Sequence, residues 1–235
     1  MNDSTDSLAQ ILQRLRAAQA ARTGFAGIDV RLLAVSKTRS GAEVRALAAL
    51  EQRAFGENYV QEAIAKQREL ADLALQWHLI GPLQSNKAGA AAAAFDWVQS
   101  VDRIKLVAAL SRHRSTTLSA LNVLIQVNID DEASKSGCKP DAIDALADAV
   151  VAEPRLSLRG LMAICAPYPD LDRRRDAFRR MRELFDGLRT RHPQIDTLSM
   201  GMSEDFELAI AAGATMVRVG SALFGARREP GKGPA

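Results

Sequence analysis

The chain has 235 residues, 47% of them hydrophobic, enough for one large core and too few for two domains of ordinary size. Its 31 Lys+Arg against 28 Asp+Glu leave a formal charge of +3, so a nucleic acid or other polyanionic partner is not expected. The two cysteines, Cys138 and Cys165, share no short spacing and neither lies within a few residues of a histidine, which argues against a zinc site and a disulfide framework and fits a reducing cytoplasm.

The opening "MNDSTDSLAQILQRLRAAQAA" has acidic and polar residues first and no basic region before an apolar run, unlike a secretory leader. Leu8, Ile11, Leu12 and Leu15 fall on one face of an amphipathic helix, so residues 1–30 read as a helix and lead-in. From Arg31 to Phe224, short apolar runs alternate with segments of helical period, the pattern of βα units around a parallel sheet. The strand candidates start "RLLAVSKT" at 31, "RAFGEN" at 53, "QWHLIG" at 76, "WVQSV" at 97, "LNVLIQVNI" at 121, "LSLRGLMAI" at 156, "TLSMGM" at 197 and "TMVRVG" at 215. Eight such units at this length predict an α/β fold, a single (β/α)₈ TIM barrel with an extra N-terminal helix, spanning 1–235 as one domain; a doubly wound open sheet is the alternative. No segment reaches the roughly 18 uninterrupted apolar residues of a membrane span. In "RRRDAFRRMRELF", Phe178, Met181, Phe185 and Leu188 recur at helical spacing, so the arginines read as a solvated face. The Gly, Pro and charge of 226–235 predict a loose tail.

Chemistry in such a barrel sits where the strands end, and a ligand's phosphate is frequently held after strands seven and eight. Strand alternation groups Leu33, Val35 and Lys37 on one face of the first strand and Met216, Arg218 and Gly220 on one face of the last. If both faces point inward, closure brings Lys37 near Arg218. Asn58, His78, Ser100 and Asn128 also fall toward strand ends, although a satisfied core histidine and ordinary turn chemistry compete for these positions. "MGMSEDFELAI" runs through Gly201 to Ser203, a good N-cap, and "VRVGSALFG" sets Gly220 and Ser221 directly after strand eight. Close backbone approach, hydroxyls and helix-start amides make a phosphate cradle. An ordinary amine, with a pKa of about 10.4, is no nucleophile at neutral pH, but burial and a nearby cation both disfavour its charged form. A lysine facing a phosphate cradle fits a phosphorylated aldehyde or ketone held as an imine, pyridoxal 5′-phosphate (PLP) being the prominent aldehyde. Pairing of the lysine with a carboxylate, a phosphate counter-ion, and a sugar-phosphate aldolase stay open.

The segments "AVSKT", "FGENYVQEA", "WHLIGPLQSNK", "QVNIDDEASKSG", "GLMAI", "LSMGMSEDFELAI" and "GATMVRVGSALFG" resemble, in order and over Ala34 to Gly225, the signatures of the pyridoxal phosphate homeostasis protein family. That resemblance implies a barrel like the N-terminal barrel of alanine racemase, with Lys37 carrying PLP as an internal aldimine. It implies phosphate contacts from Ser203, Gly220 and Ser221, with Met202 in the same turn, and an Arg218 that approaches the pyridine nitrogen. With Asn58 and His78, these make the candidate cofactor-binding set. An arginine at the ring nitrogen disfavours its protonation and weakens the ring as an electron sink. The implied function is PLP homeostasis and cofactor transfer without turnover, with PLP-dependent apoenzymes as recipients. The alternative, a racemase-type enzyme, is expected to need a C-terminal β domain and a catalytic tyrosine, and the chain has only Tyr59 and Tyr168 and ends soon after strand eight. No strand or long apolar stretch is left over for an obligate interface, so a monomer is expected. Departures from the family pattern are "AGAAAAAF" after "LQSNK", Gln99 where histidine is common, and Ser221 where threonine is common; the first two argue against a partner or nucleic acid role for that face.

Overall fold

The predicted strands form, and they close. The computed structural model describes residues 3–25, 27–132 and 135–225. Its strands are β1 (Arg31–Val35), β2 (Ala54–Glu57), β3 (Gln76–Leu79), β4 (Trp97–Val101), β5 (Leu121–Val127), β6 (Leu156–Ala163), β7 (Thr197–Ser199) and β8 (Met216–Val219). Each pairs in parallel with the next, and β8 pairs with β1 with Leu33 beside Arg218, so the sheet is a closed barrel and the open-sheet alternative falls. Around it lie α1 (Asp3–Ala21), α2 (Gly41–Ala48), α3 (Val60–Glu69), α4 (Ala88–Ala94), α5 (Ile104–His113), α6 (Ile143–Val151), α7 (Leu171–Arg191), α8 (Phe206–Ala211) and α9 (Ser221–Phe224).

The outward set of each strand, including Ala34, Phe55, Leu79, Val98, Val123, Leu161, Leu198 and Val217, is buried in the layer between sheet and helices. That layer is the main core, each fully buried aliphatic side chain there contributing about 1.5–3 kcal/mol. The extra helix α1 packs on α8, α9 and α2 through Leu8, Ile11 and Leu15. On α7, Phe178, Met181, Phe185 and Leu188 are buried, and Arg175, Arg179 and Arg182 pair with acids on the same helix, the i,i+3 and i,i+4 neighbours of a solvated face. No helix among the described residues is long and apolar enough to cross a membrane. The tail over 226–235 lies outside the described residues.

Two apolar groups occupy the barrel interior: Leu33, Ile80 and Met216, flanked by Val35, and the group of Trp97, Leu124 and Met162. A polar chain links them. Gln99 Nε2 reaches Met216 Sδ at 3.2 Å, and the His78 ring stacks on Trp97 with centroids 5.1 Å apart.

Candidate functional site

Beyond the ends of β1, β2, β3, β6, β7 and β8 opens a cavity of about 260 Å³. Seven of the eight candidate residues line it: Lys37, Asn58, Met202, Ser203, Arg218, Gly220 and Ser221. Lys37 sits in the turn just past β1, half-buried, between a fully buried Ser36 and an exposed Thr38 with φ +63°. Val35 lines the cavity with it, as the alternation along β1 requires. Close to β2, Gly81 is needed for close approach, because a Cβ there would lie 2.3 Å from the Asn58 carbonyl oxygen.

Arg218 is the buried cation of the site. Its Nη1 donates to the Ser199 carbonyl at 2.9 Å and to Ser199 Oγ at 2.8 Å, and its Nη2 donates to the Ala163 carbonyl at 2.7 Å. Burial lowers its pKa to about 10, which leaves the guanidinium charged at neutral pH. Ser199 Oγ passes its own hydrogen to Gln99 Oε1 at 2.8 Å, and Gln99 Nε2 lies 2.9 Å from His78 Nδ1. The amide can only donate there, so Nδ1 accepts and the ring carries its proton on Nε2, 3.0 Å from Gln76 Oε1.

The phosphate-cradle residues meet across two loops. Gly220 N–H donates toward Ser203 Oγ at 3.4 Å, and the Ser203 and Ser221 hydroxyls are 3.3 Å apart. The structure corrects the expectation that Ser203 caps a helix. α8 starts later, with Asp205 at its N-cap, and Asp205 Oδ1 accepts from Met202 N–H at 2.7 Å. That short-range carboxylate closes the turn and leaves the Ser203 hydroxyl to face Gly220. The same turn depends on Gly201, whose φ is +90° and whose Cβ would sit 2.5 Å from that of Ala209. Gly201→Ala is therefore expected to cost about 1–3 kcal/mol from backbone conformation alone, and more from the clash, read as a lower urea midpoint with unchanged slope.

His78 is the candidate placed elsewhere. It is fully buried in the polar chain, one residue pair deeper than Ile80, which takes the inward position at the cavity wall. Burial, and secondarily the charge of Arg31, push its pKa well below the usual range. The folded state thus keeps the ring neutral while the unfolded chain binds a proton below about pH 6.5. Stability from this residue is full above that pH and declines as pH falls toward the lowered folded value, by up to about 1.4 kcal/mol per unit. His78→Gln is expected to flatten the loss of stability between about pH 6.5 and 5, measured by urea unfolding against the parent chain.

Neither Ser100 nor Asn128 lines the cavity. Asn128 makes turn contacts, donating to the Glu132 carbonyl at 2.8 Å and accepting from Glu132 N–H at 3.2 Å. Gln99 is not on a surface at all; it is fully buried inside the barrel, so its replacement of histidine bears on the interior and not on a partner face. Sequence reasoning missed the cavity contributions of Ile164 and Arg39. Arg39 donates to the Phe224 carbonyl at 3.1 Å and pairs with Glu43 at 3.4 Å, tying the Lys37 turn to α9.

Comparison with known proteins bears on this geometry. The alanine racemase N-terminal domain family matches residues 7–228. The pyridoxal phosphate homeostasis proteins of Escherichia coli K12 and Pseudomonas aeruginosa are 50% and 53% identical to the chain, over 97% of it and 98% and 97% of their own lengths. The chain belongs to the pyridoxal phosphate homeostasis protein family. Among solved structures, PipY of Synechococcus elongatus PCC7942, with PLP bound, is 38% identical with a TM-score of 0.77, covering 91% of this chain and 99% of that one. Alanine racemase of Corynebacterium glutamicum, at 20% identity and a TM-score of 0.64 over 94% of this chain and 63% of its own, shares the barrel alone.

Proposed function

We propose that this chain binds PLP in the cavity at the strand ends, covalently through an imine on Lys37 Nζ, and acts in intracellular PLP homeostasis by holding the cofactor and passing it to PLP-dependent apoenzymes. The observation that carries the reading is the presence in one cavity of a lysine, a glycine and serine cradle, and a buried arginine. Each suits one part of PLP: the amine its aldehyde, Ser203, Gly220 and Ser221 its phosphate, Arg218 its ring nitrogen. Bound PLP supplies a reactive aldehyde and a ring that can take up electrons when protonated.

Arg218 is charged at neutral pH, so a proton on a ring nitrogen facing it is disfavoured, and the ring is held as a poor electron sink. That supports carriage without turnover over the racemase reading. So does the position of the tyrosines: Tyr59 is largely exposed outside the cavity wall, Tyr168 lies under Arg173 with 4.0 Å to the ring centroid, and neither lines the cavity. A cytoplasmic location accords with two buried free thiols, whose pKa values burial raises to about 12. A monomer accords with exposed large apolar residues that are scattered over separate elements, such as Tyr59, Ile104, Val151 and Leu171, and sedimentation would check it.

The test is an absorbance spectrum of the protein with PLP, before and after borohydride, followed by peptide mass mapping. A reduced pyridoxyl group on Lys37, with no amino acid turnover, is the expected result. Adducts spread over surface lysines would return Lys37 to a phosphate counter-ion or a sugar-phosphate imine.

A further inference from the structure

Under the turn that carries Lys37 lies a buried ionic cluster with no place in the cavity wall. Glu57, on the outward side of β2, is fully buried, and its Oε1 accepts from Ser36 Oγ at 2.6 Å and from Lys66 Nζ at 2.6 Å. Lys66 comes from α3 and is itself buried; its ammonium also donates to the Ser36 carbonyl at 2.8 Å and reaches Glu62 Oε1 at 3.3 Å. Glu62, one helical turn before Lys66, accepts from the Thr38 backbone N–H at 2.6 Å.

The residues on either side of Lys37 are therefore held by three side chains from the β2–α3 unit. Ser36 is fixed through both its hydroxyl and its carbonyl, and Thr38 through its amide. Thr38 also adopts the left-handed conformation, uncommon for a β-branched residue, which persists only where neighbours over-determine it. A buried ion pair is weak evidence for stability, because desolvation offsets most of the attraction. Glu57 illustrates the cost: burial raises its pKa against the opposing pull of Lys66, and its Oε2 has no hydrogen-bond partner. Specification of one turn geometry is the better account of the cluster.

We propose that Glu62 and Lys66, anchored on Glu57, are positioning residues that lock the Ser36–Thr38 turn so that Lys37 is presented to the cavity in one reactive geometry. The proposal rests on the reading of Lys37 as the PLP-bonding amine. Imine formation needs the amine on a defined approach to the aldehyde, and misplacement of a reacting group by about 1 Å can cost on the order of a hundredfold in rate. Neither side chain lines the cavity, so their effect on Lys37 runs through the backbone of Ser36 and Thr38.

The test uses the full chain with Glu62→Ala and Glu62→Gln, and with Lys66→Met paired with Glu57→Gln so that no lone charge is left buried. Glu62 is partly exposed, so its variants keep the proposal testable even where the core double variant fails to fold. Two readouts are taken: hydrogen exchange of the Thr38 amide without ligand, and the rate at which added PLP becomes borohydride-trappable on Lys37. Glu62→Ala is expected to speed Thr38 exchange and slow trapping, each by about tenfold or more, and Glu62→Gln, which keeps an accepting oxygen, to restore both. Unchanged Thr38 exchange, or faster exchange with unchanged trapping, would overturn the proposal. If the parent chain forms no adduct on Lys37, the PLP reading fails instead, and the clamp is then judged on Thr38 exchange alone.

Discussion

Lys37→Ala is expected to abolish the borohydride-trappable pyridoxyl adduct while the barrel keeps its stability to within about 1 kcal/mol, or about 2–4 °C in melting temperature for a chain of this size. The two halves of this expectation have separate grounds. Lys37 lies past the end of β1 in a turn, half-buried, with its backbone framed by Ser36 and Thr38, so shortening its side chain opens no void in the packed layers. Lys37 is, in contrast, the one lysine that lines the cavity together with the Ser203, Gly220 and Ser221 cradle among the described residues. Removing it should leave weak, reversible PLP binding through phosphate contacts and no imine. Peptide mapping after reduction reads the first half, and thermal unfolding the second. An adduct of undiminished yield at another lysine would sink the assignment, whereas a collapse in stability would mean that Lys37 contributes to packing in a way its position does not imply.

The barrel and most of its mouth were legible because they follow from two periodicities. Alternation put Val35 and Lys37 on one face of β1 and Arg218 and Gly220 on one face of β8, and closure of the sheet turned both inward to one cavity. Alternation gives the face but not the depth. His78 does point inward, yet Ile80, two residues on, reaches the cavity wall, and the histidine is left to a hydrogen-bond chain with Gln99 and Gln76. Ser203 looked like a cap because serine before an acidic run usually is one; a carboxylate two residues later reached Met202 N–H instead, which a pattern of residue types cannot rank. The cluster under the Lys37 turn was hidden for a different reason. Glu57 sits on the outward face of β2, where an apolar residue is the normal choice, and its partners come from α3 and from the turn after β1. Glu62 and Lys66 were visible only as an i,i+4 pair, which on most helices signals a solvated surface.

Arg218→Leu carries the second large expectation, a loss of stability together with a change in how bound PLP titrates. The guanidinium serves three acceptors, the carbonyls of Ser199 and Ala163 and the Ser199 hydroxyl, at 2.7 to 2.9 Å. A leucine serves none, and each buried acceptor left without a donor costs about 1–3 kcal/mol. Release from the desolvation of a buried charge offsets part of that. A net loss of about 2–4 kcal/mol is expected, or roughly 5–15 °C in melting temperature. Because burial lowers the Arg218 pKa only to about 10, its charge is constant through neutral pH, and the parent protein should show no stability change from this group below that value. The sign follows from linkage: a cation whose folded pKa is depressed weakens the folded state as pH falls from the unfolded value to the folded one, and contributes no further slope once both states are charged. If PLP sits with its ring nitrogen at Arg218, as proposed, the same fixed charge opposes protonation of that nitrogen, so the absorbance of the parent complex should hold steady across neutral pH while the Arg218→Leu complex titrates there. Arg218→Lys separates the two effects, since an ammonium keeps the charge but lacks the planar fork that spans Ser199 and Ala163. It should retain the parent's flat absorbance profile and lose part of the stability. If Arg218→Leu and Arg218→Lys gave the same pH profile as the parent, the arginine would be a structural brace of β6, β7 and β8, and the restraint on the cofactor's chemistry would have to come from elsewhere in the cavity.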